Sequence, residues 1–319
     1  MGIVLLDGYK LNNDLDWSAL QAVGDCDLYD RTPVDDADEI CRRIGDAGLV
    51  ITHKTPLRAE VIGRLPNLRY IGIMGTGYDV IDIEAARGRG IVVTNVPTYA
   101  ESAVAQFAFS LLLEVTGQVG LHDRLVHEGT WSRVPDFTFW ERPLFELKGK
   151  TLGLVGYGHI AQQVACMAHA FGMRVIYWNH RPKRADQPWA EQVELDDLLR
   201  TADAVSLHTI QTPETIGLIN ERRLALMKPT AILVNTARGK LVVEADVAAS
   251  LNVGKLYAYA TDVVGKEPIS PDNPLLTAKN CYITPHIAWA PRETRQRLLD
   301  ITVENLKAYL AGEPQNVIG

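Results

Sequence analysis

Thr151-Leu152-Gly153-Leu154-Val155-Gly156-Tyr157-Gly158-His159-Ile160-Ala161 is the stretch that decides the architecture of this 319-residue chain. Its first half is β-branched and apolar, the composition of a parallel strand buried on both faces. The second half reads Gly-x-Gly-x-x-Ala and runs into a helical segment, residues 162–171, followed by a second strand over 173–178. Strand, glycines, helix and strand in that order form a βαβ unit that binds a dinucleotide. Gly156 permits the tight turn, and Gly158 lets a pyrophosphate approach the backbone at the helix N-terminus, where His159 and Ile160 begin the first turn. Ala161 stands in the third glycine position and is still small enough for close helix–strand packing.

The rest of the chain is consistent with a two-domain α/β protein. A length of 319 residues exceeds one ordinary core, and 47% hydrophobic with 22% charged residues is the composition of a globular enzyme. A formal net charge of -7 disfavours nucleic acid or an anionic membrane as partner, so any anion must be bound locally. Met1-Gly2-Ile3-Val4-Leu5-Leu6 leads straight into Asp7 with no basic segment or cleavage site, and no apolar run reaches the length of a membrane span. Cys26, Cys41, Cys166 and Cys281 lack metal-type spacing and read as buried thiols of a cytoplasmic protein.

Strands over 3–6, 49–52, 68–74 and 91–94 alternate with helices, which predicts a first α/β domain up to residue 97. Residues 101–115 are almost wholly apolar and predict a helix buried between domains or between subunits, hence a homodimer. Residues 120–147 have no clear period and read as a surface excursion carrying Trp131, Phe137, Phe139 and Trp140. Further strands follow at 204–209, 231–235, 256–263 and 281–284, and a long amphipathic helix over 292–310 crosses back to the first domain. The expected domains are therefore 1–97 with 288–319, a smaller substrate or lid domain, and 98–287, which holds the dinucleotide.

About twenty residues past the glycines, NAD-binding units carry an acidic residue for the ribose 2′-OH. Here Asn179 stands there, followed by His180, Arg181, Lys183 and Arg184. Asn does not repel a 2′-phosphate and Arg181 can grip one with two donors, which favours NADP(H) over NAD(H). A solvated surface loop is the plainer alternative for this basic run. Thr209, Thr236 and Ala237, at predicted strand ends, complete the expected coenzyme contacts.

Three stretches lie at the C-terminal ends of predicted strands, where a doubly wound sheet binds ligands: Asn235-Thr236-Ala237-Arg238-Gly239, Asp262 to Pro268, and Thr284 to Trp289. Reduction of a 2-keto acid needs a cation for the carboxylate, an acid for the developing alkoxide, and an anion that keeps this acid charged. Arg238, His286 and Glu267 supply these types. On spacing alone Arg238 could equally cap a helix, and Glu267 before a proline could be a solvated loop charge.

These stretches, with Gly75-Thr76-Gly77-Tyr78-Asp79, Thr94-Asn95-Val96-Pro97 and Asn273-Pro274-Leu275-Leu276, resemble the motifs of the D-isomer-specific 2-hydroxyacid dehydrogenases over nearly the full chain. The resemblance implies a Rossmann-type doubly wound parallel sheet for the coenzyme, beside a smaller, discontinuous flavodoxin-like domain. It assigns catalysis to Arg238, Glu267 and His286, substrate-carboxylate contacts to the backbone of Thr76 and Gly77, and the nicotinamide side to Asp262. Closing the cleft would bring Thr76 and Gly77 onto the substrate. Phe139-Trp140, Pro143-Leu144 and His286-Ile287-Ala288-Trp289 resemble the glycerate dehydrogenase (hydroxypyruvate reductase) branch, with Trp289 leaving room for a small substrate only. Its implied reaction is reduction of hydroxypyruvate or glyoxylate, without metal. A reductase of a bulkier 2-keto acid and a dinucleotide-sensing regulator of the same fold are the alternatives. Two departures stand out: Asn179 where the family carries aspartate, and Ala258-Tyr259-Ala260-Thr261 where it is Gly- and Leu-rich.

Overall fold

A computed structural model describes residues 2–10, 14–181 and 187–318. Lys183 and Arg184 of the basic run lie outside the described residues. The chain divides into two compact units, Met1–Ala100 with Ala290–Gly319, and Glu101–Trp289.

The first unit is built on five parallel strands: β1 (Ile3–Leu5), β2 (Cys26–Leu28), β3 (Leu49–Thr52), β4 (Tyr70–Ile73) and β5 (Val92–Thr94). Their order is β2-β1-β3-β4-β5, the flavodoxin-like arrangement. β3 and β4 are buried along their whole length, as their unbroken apolar sequence requires. Side chains cap the starts of the helices Ala37–Ile44 and Ile83–Gly88: Asp36 accepts from the Glu39 N–H and Asp82 from the Ala85 N–H. The closing helix, Arg292–Leu310, belongs to this unit, and its Arg295 forms a two-donor ion pair with Asp14 at 2.8 Å.

The second unit contains seven parallel strands: β6 (Thr151–Val155), β7 (Arg174–Trp178), β8 (Ala190–Gln192), β9 (Ala204–Leu207), β10 (Ile232–Asn235), β11 (Ala258–Thr261) and β12 (Cys281–Ile283). Their order, β12-β11-β10-β9-β6-β7-β8, is the doubly wound Rossmann pattern, reversing direction between β6 and β9. The two faces of this sheet carry separate apolar clusters. One gathers Phe109, Leu112, Leu154, Val164 and Val175, the other Leu198, Val205, Leu224, Leu233 and Leu251. Each such side chain contributes about 1.5–3 kcal/mol when fully buried.

The helix Glu101–Gly117 buries Ala105, Ala108, Phe109, Leu111, Leu112, Val115 and Thr116, while Leu113 stays exposed on another flank. Two expectations are corrected here. The presumed excursion after Glu101–Gly117 contains a helix, Val119–His127, and a 3-10 turn, Trp131–Arg133; that helix buries no residue fully, which removes the apolar period that would have announced it. Cys166 is exposed on its helix and the other three thiols are half-buried, so none is sealed in a core. No single helix among the described residues is long and apolar enough to cross a membrane.

Candidate active site

At the point where the strand order reverses, the loops after β6 and β9 touch. Gly156 has φ +95°, and a Cβ there would lie 2.6 Å from the His208 carbonyl oxygen, so only glycine fits. At Gly158, by contrast, no heavy atom of the described residues, its own and its chain neighbours' apart, lies within 4 Å of where a Cβ would be. Gly158 is the N-cap of the helix His159–Ala170 and makes no side-chain cap bond, which leaves the helix N-terminus open beside bare backbone. Ala161 is fully buried against the sheet. Across the turn, the Tyr157 N–H donates to Asn179 Oδ1 at 3.3 Å and Asn179 Nδ2 donates to the Arg181 carbonyl at 2.8 Å. Asn179 thus staples the glycine turn to the end of β7, with His180 and Arg181 exposed beyond it. Beneath the turn, the Tyr157 and Tyr177 rings stack at 3.9 Å.

These features fit a dinucleotide: open backbone at a helix N-terminus, a shaped turn, and polar groups beyond the second strand. On the opposite side of the reversal, the Thr236 hydroxyl is buried with no hydrogen-bond partner among the described residues, an orphan that a ligand can satisfy. Thr209 lies just past β9, next to His208, and Ala237 next to Thr236. His208 itself follows the strand rather than lying in it; its Nε2 shares a hydrogen bond with Ser206 Oγ at 2.9 Å. Burial, which disfavours the charged form of this half-exposed residue, lowers its imidazole pKa to about 4.

The three chemistry-bearing loops rise from the neighbouring strands β10, β11 and β12. The first is shaped by Asn235, fully buried, whose Oδ1 accepts from the Ala237 N–H and whose Nδ2 donates to the Arg238 carbonyl, both at 3.0 Å. The same Nδ2 donates to the hydroxyl of fully buried Tyr259 at 3.3 Å, and burial pushes that phenol's pKa up. So Tyr259, in the stretch that departs from the family pattern, supports the Arg238 loop from below. Arg238 is exposed, its Nη1 donating to the Ala237 carbonyl at 2.7 Å.

Glu267 and His286 meet directly, with His286 Nδ1 and Glu267 Oε2 at 2.6 Å. Glu267 Oε1 also accepts from the Val264 N–H at 3.2 Å. His286 has φ +56°, a left-handed backbone that costs on the order of 1–3 kcal/mol. Its surroundings hold it there: the His286 N–H donates to the Thr284 carbonyl and Trp289 Nε1 to the His286 carbonyl, each at 3.0 Å.

Below them, Asp262 is 1% exposed. Its Oδ1 accepts from the Thr284 hydroxyl at 2.6 Å and the Ile287 N–H at 2.9 Å, and its Oδ2 accepts from the Ala288 N–H at 2.8 Å. Both oxygens of the residue assigned to the nicotinamide side are therefore engaged by the loop that carries His286. In the first unit, Thr76 Oγ1 donates to the Val96 carbonyl and Asn95 Nδ2 to the Thr76 carbonyl, both at 2.8 Å, which fixes the turn of Thr76 and Gly77. Asn235 and Tyr259 are not among the site residues expected from the sequence, although both stand in stretches quoted above; nothing in those stretches announces the bond between them.

Comparison with known proteins places this geometry. The model of the NAD-binding domain of D-isomer specific 2-hydroxyacid dehydrogenases matches residues 109–288. A hydroxypyruvate reductase of Blautia hydrogenotrophica is 49% identical over 320 residues, covering 100% of this chain and 99% of the relative. A glycerate dehydrogenase of Methylorubrum extorquens is 36% identical over 283 residues, 88% of each chain. Among solved structures, an acyclic imino acid reductase in complex with NADPH and D-Arg is similar with a TM-score of 0.83 at 30% identity, covering 100% of both chains.

Proposed function

The chain belongs to the D-isomer-specific 2-hydroxyacid dehydrogenase family, and from that premise we propose that hydroxypyruvate and glyoxylate are its substrates, reduced at Arg238, Glu267 and His286. It is an oxidoreductase that uses a nicotinamide dinucleotide to reduce small 2-keto acids to D-2-hydroxy acids. The observation that carries the residue assignment is the contact of 2.6 Å between His286 Nδ1 and Glu267 Oε2.

When bound, the reduced nicotinamide supplies the hydride. With Nδ1 held by Glu267, the proton that His286 gives to the developing alkoxide comes from Nε2. The carboxylate of Glu267 fixes the ring and stabilises its positive charge before transfer. Arg238 offers a planar two-donor fork for the substrate carboxylate, and its charge polarises the adjacent carbonyl. In this proposal Trp289 limits the length of the substrate side chain. A screen of NADH and NADPH oxidation against hydroxypyruvate, glyoxylate, pyruvate and a branched 2-keto acid tests it. Preference for the branched acid would overturn the substrate assignment.

The coenzyme preference in this proposal is NADP(H). Asn179 is neutral and occupied at the turn, and exposed Arg181 follows it where a 2′-phosphate would lie. Arg181→Ala then weakens NADPH binding by about 1.5–3 kcal/mol and leaves NADH untouched. Equal loss for both coenzymes, or none for either, would remove Arg181 from this role.

The working form in this proposal is a homodimer. Phe137 and Trp140 are 90% and 66% exposed, and Leu113 on the helix Glu101–Gly117 and Val119 and Val126 on the next, Val119–His127, are exposed as well. A second copy is the cover such an apolar surface calls for. Sedimentation at micromolar concentration giving only the single-chain mass would refute it.

A further inference from the structure

Glu267 stands on the loop between β11 and the 3-10 turn Pro274–Thr277, and the two ends of that loop are joined by a carboxylate from elsewhere in the chain. Glu244 Oε1 accepts from the Gly265 N–H at 2.7 Å, and Glu244 Oε2 accepts from Asn273 Nδ2 at 3.0 Å. Gly265 lies two residues before Glu267 and Asn273 six residues after it. Asn273 in turn accepts from the Leu275 N–H at 3.0 Å, so the far end of the loop is tied into the turn that follows. Glu244 is the first residue of the helix Glu244–Asn252, whose Val247, Ala248, Ser250 and Leu251 are buried, so the clamp rests on a packed element. A carboxylate in a first helical turn is also favoured by the helix dipole.

A second contact presses on the same place. A Cβ on Gly239 would lie 2.0 Å from the Val264 carbonyl carbon, so the turn after Arg238 packs directly on the backbone before Gly265. From Val264 the N–H reaches Glu267 Oε1 at 3.2 Å. The path is then continuous: Glu244 fixes Gly265, the Val264–Gly265 backbone fixes Glu267, and Glu267 fixes the His286 ring.

We propose that Glu244 is a positioning residue for proton transfer, clamping the Glu267 loop at Gly265 and Asn273. This rests on the assignment of Glu267 and His286 given above. Glu244 touches neither substrate nor coenzyme in this role. Its loss therefore slows the chemical step and leaves ligand binding alone.

The test is a double-mutant cycle on the full-length enzyme, reading the single-turnover rate of hydroxypyruvate reduction with NADPH, the KM for the keto acid, the NADPH Kd and the thermal midpoint. Glu267→Gln is expected to slow the step about a hundredfold. Glu244→Ala is expected to slow it about tenfold, with KM and Kd within about twofold of wild type. Glu244→Gln, which keeps an acceptor for Gly265 but turns an amide donor toward Asn273, should fall between. In the Glu267→Gln background, Glu244→Ala should add no more than about twofold, because the group it positions is gone. A folded Glu244→Ala enzyme at wild-type rate overturns the clamp, as does a double variant whose losses multiply. Should Glu244→Ala fail to fold, Glu244→Gln at wild-type rate overturns it equally. Wild-type rate in Glu267→Gln alone would bring down the dyad and the clamp together, whereas a slow Glu267→Gln beside a fast Glu244→Ala overturns the clamp and leaves the dyad standing.

Discussion

Replacing Asp262 by Asn changes one atom and removes one charge, yet the geometry around it makes that change severe. Oδ1 accepts from the Thr284 hydroxyl and the Ile287 N–H, while Oδ2 accepts from the Ala288 N–H at 2.8 Å. An amide keeps one acceptor oxygen for the first two donors, at the strength of a neutral bond, which forfeits about 1 kcal/mol for each. Its NH₂ then faces the Ala288 N–H, donor against donor, where Ala288 is only 3% exposed and residue 262 is 1% exposed. Leaving that N–H unpaired costs about 1–3 kcal/mol more, so the total is about 3–5 kcal/mol. The loop also loses what holds His286 at φ +56°, and the ring should drift from Glu267. Urea unfolding read by tryptophan fluorescence measures the first effect, and the rate of hydroxypyruvate reduction the second, with a fall of about tenfold or more expected. An Asn variant within about 1 kcal/mol of wild type and equally fast would refute the reasoning. Loss of coenzyme affinity with stability intact would assign Asp262 to the nicotinamide instead.

Arg238→Lys keeps the charge but not the fork, so kcat/KM should drop about a hundredfold, on the order of 3 kcal/mol; near-full activity would remove Arg238 from the carboxylate. Glu267→Gln should slow reduction about a hundredfold, since the anion at 2.6 Å from the imidazole is gone; an unchanged rate would mean that Glu267 does not partner His286. His208 governs stability instead. Above pH 6.5 its ring is neutral folded and unfolded, so its contribution is complete. As pH falls through that value the unfolded chain takes up a proton that the folded one refuses, down to about 4. The fully enclosed limit of this loss is about 3 kcal/mol, and partial exposure brings it to about 2 kcal/mol. Urea midpoints taken without coenzyme should slope downward between those pH values in wild type and flatten in His208→Gln; parallel slopes would clear His208.

What was legible in the sequence is what short-range physics imposes. Gly156 has a backbone that only glycine adopts freely, and the strand before it is buried along its whole length because both faces are covered. Edge strands leave no such mark. β2 reads Cys-Asp-Leu and β8 reads Ala-Glu-Gln, and neither has a fully buried residue, so only hydrogen bonds to β1 and β7 define them. The candidate site divides in the same way. Arg238, Glu267 and His286 sit in motifs that a family pattern makes visible. The bonds beneath them pair residues far apart in the chain, Glu244 with Gly265 and Asp262 with Ala288, and no spacing rule announces such pairs. Asn179 shows the middle case. Its departure from aspartate was readable, but its bond to the Tyr157 amide was not.

A reason for that buried layer lies in where these loops begin. Each begins where the ladder of a parallel strand stops and the N–H groups that follow need other acceptors, in a place where the chain must stay open to a ligand and cannot fold back on itself. A loop left to water would be mobile there, and a displacement of about 1 Å at a proton donor costs about a hundredfold in rate. The chain answers with acceptor-rich side chains. Asn235 accepts from the Ala237 amide, Thr261 Oγ1 accepts from the Val263 N–H, Glu244 takes the Gly265 amide, and Asp262 takes those of Ile287 and Ala288. An apolar side chain at any of these positions would fill the space and leave the amides orphaned. The floor of the site is polar because the loops above it need acceptors, and Asp262 and Glu244, which hold the loops carrying both members of the dyad, are where its failure should first register as lost proton transfer.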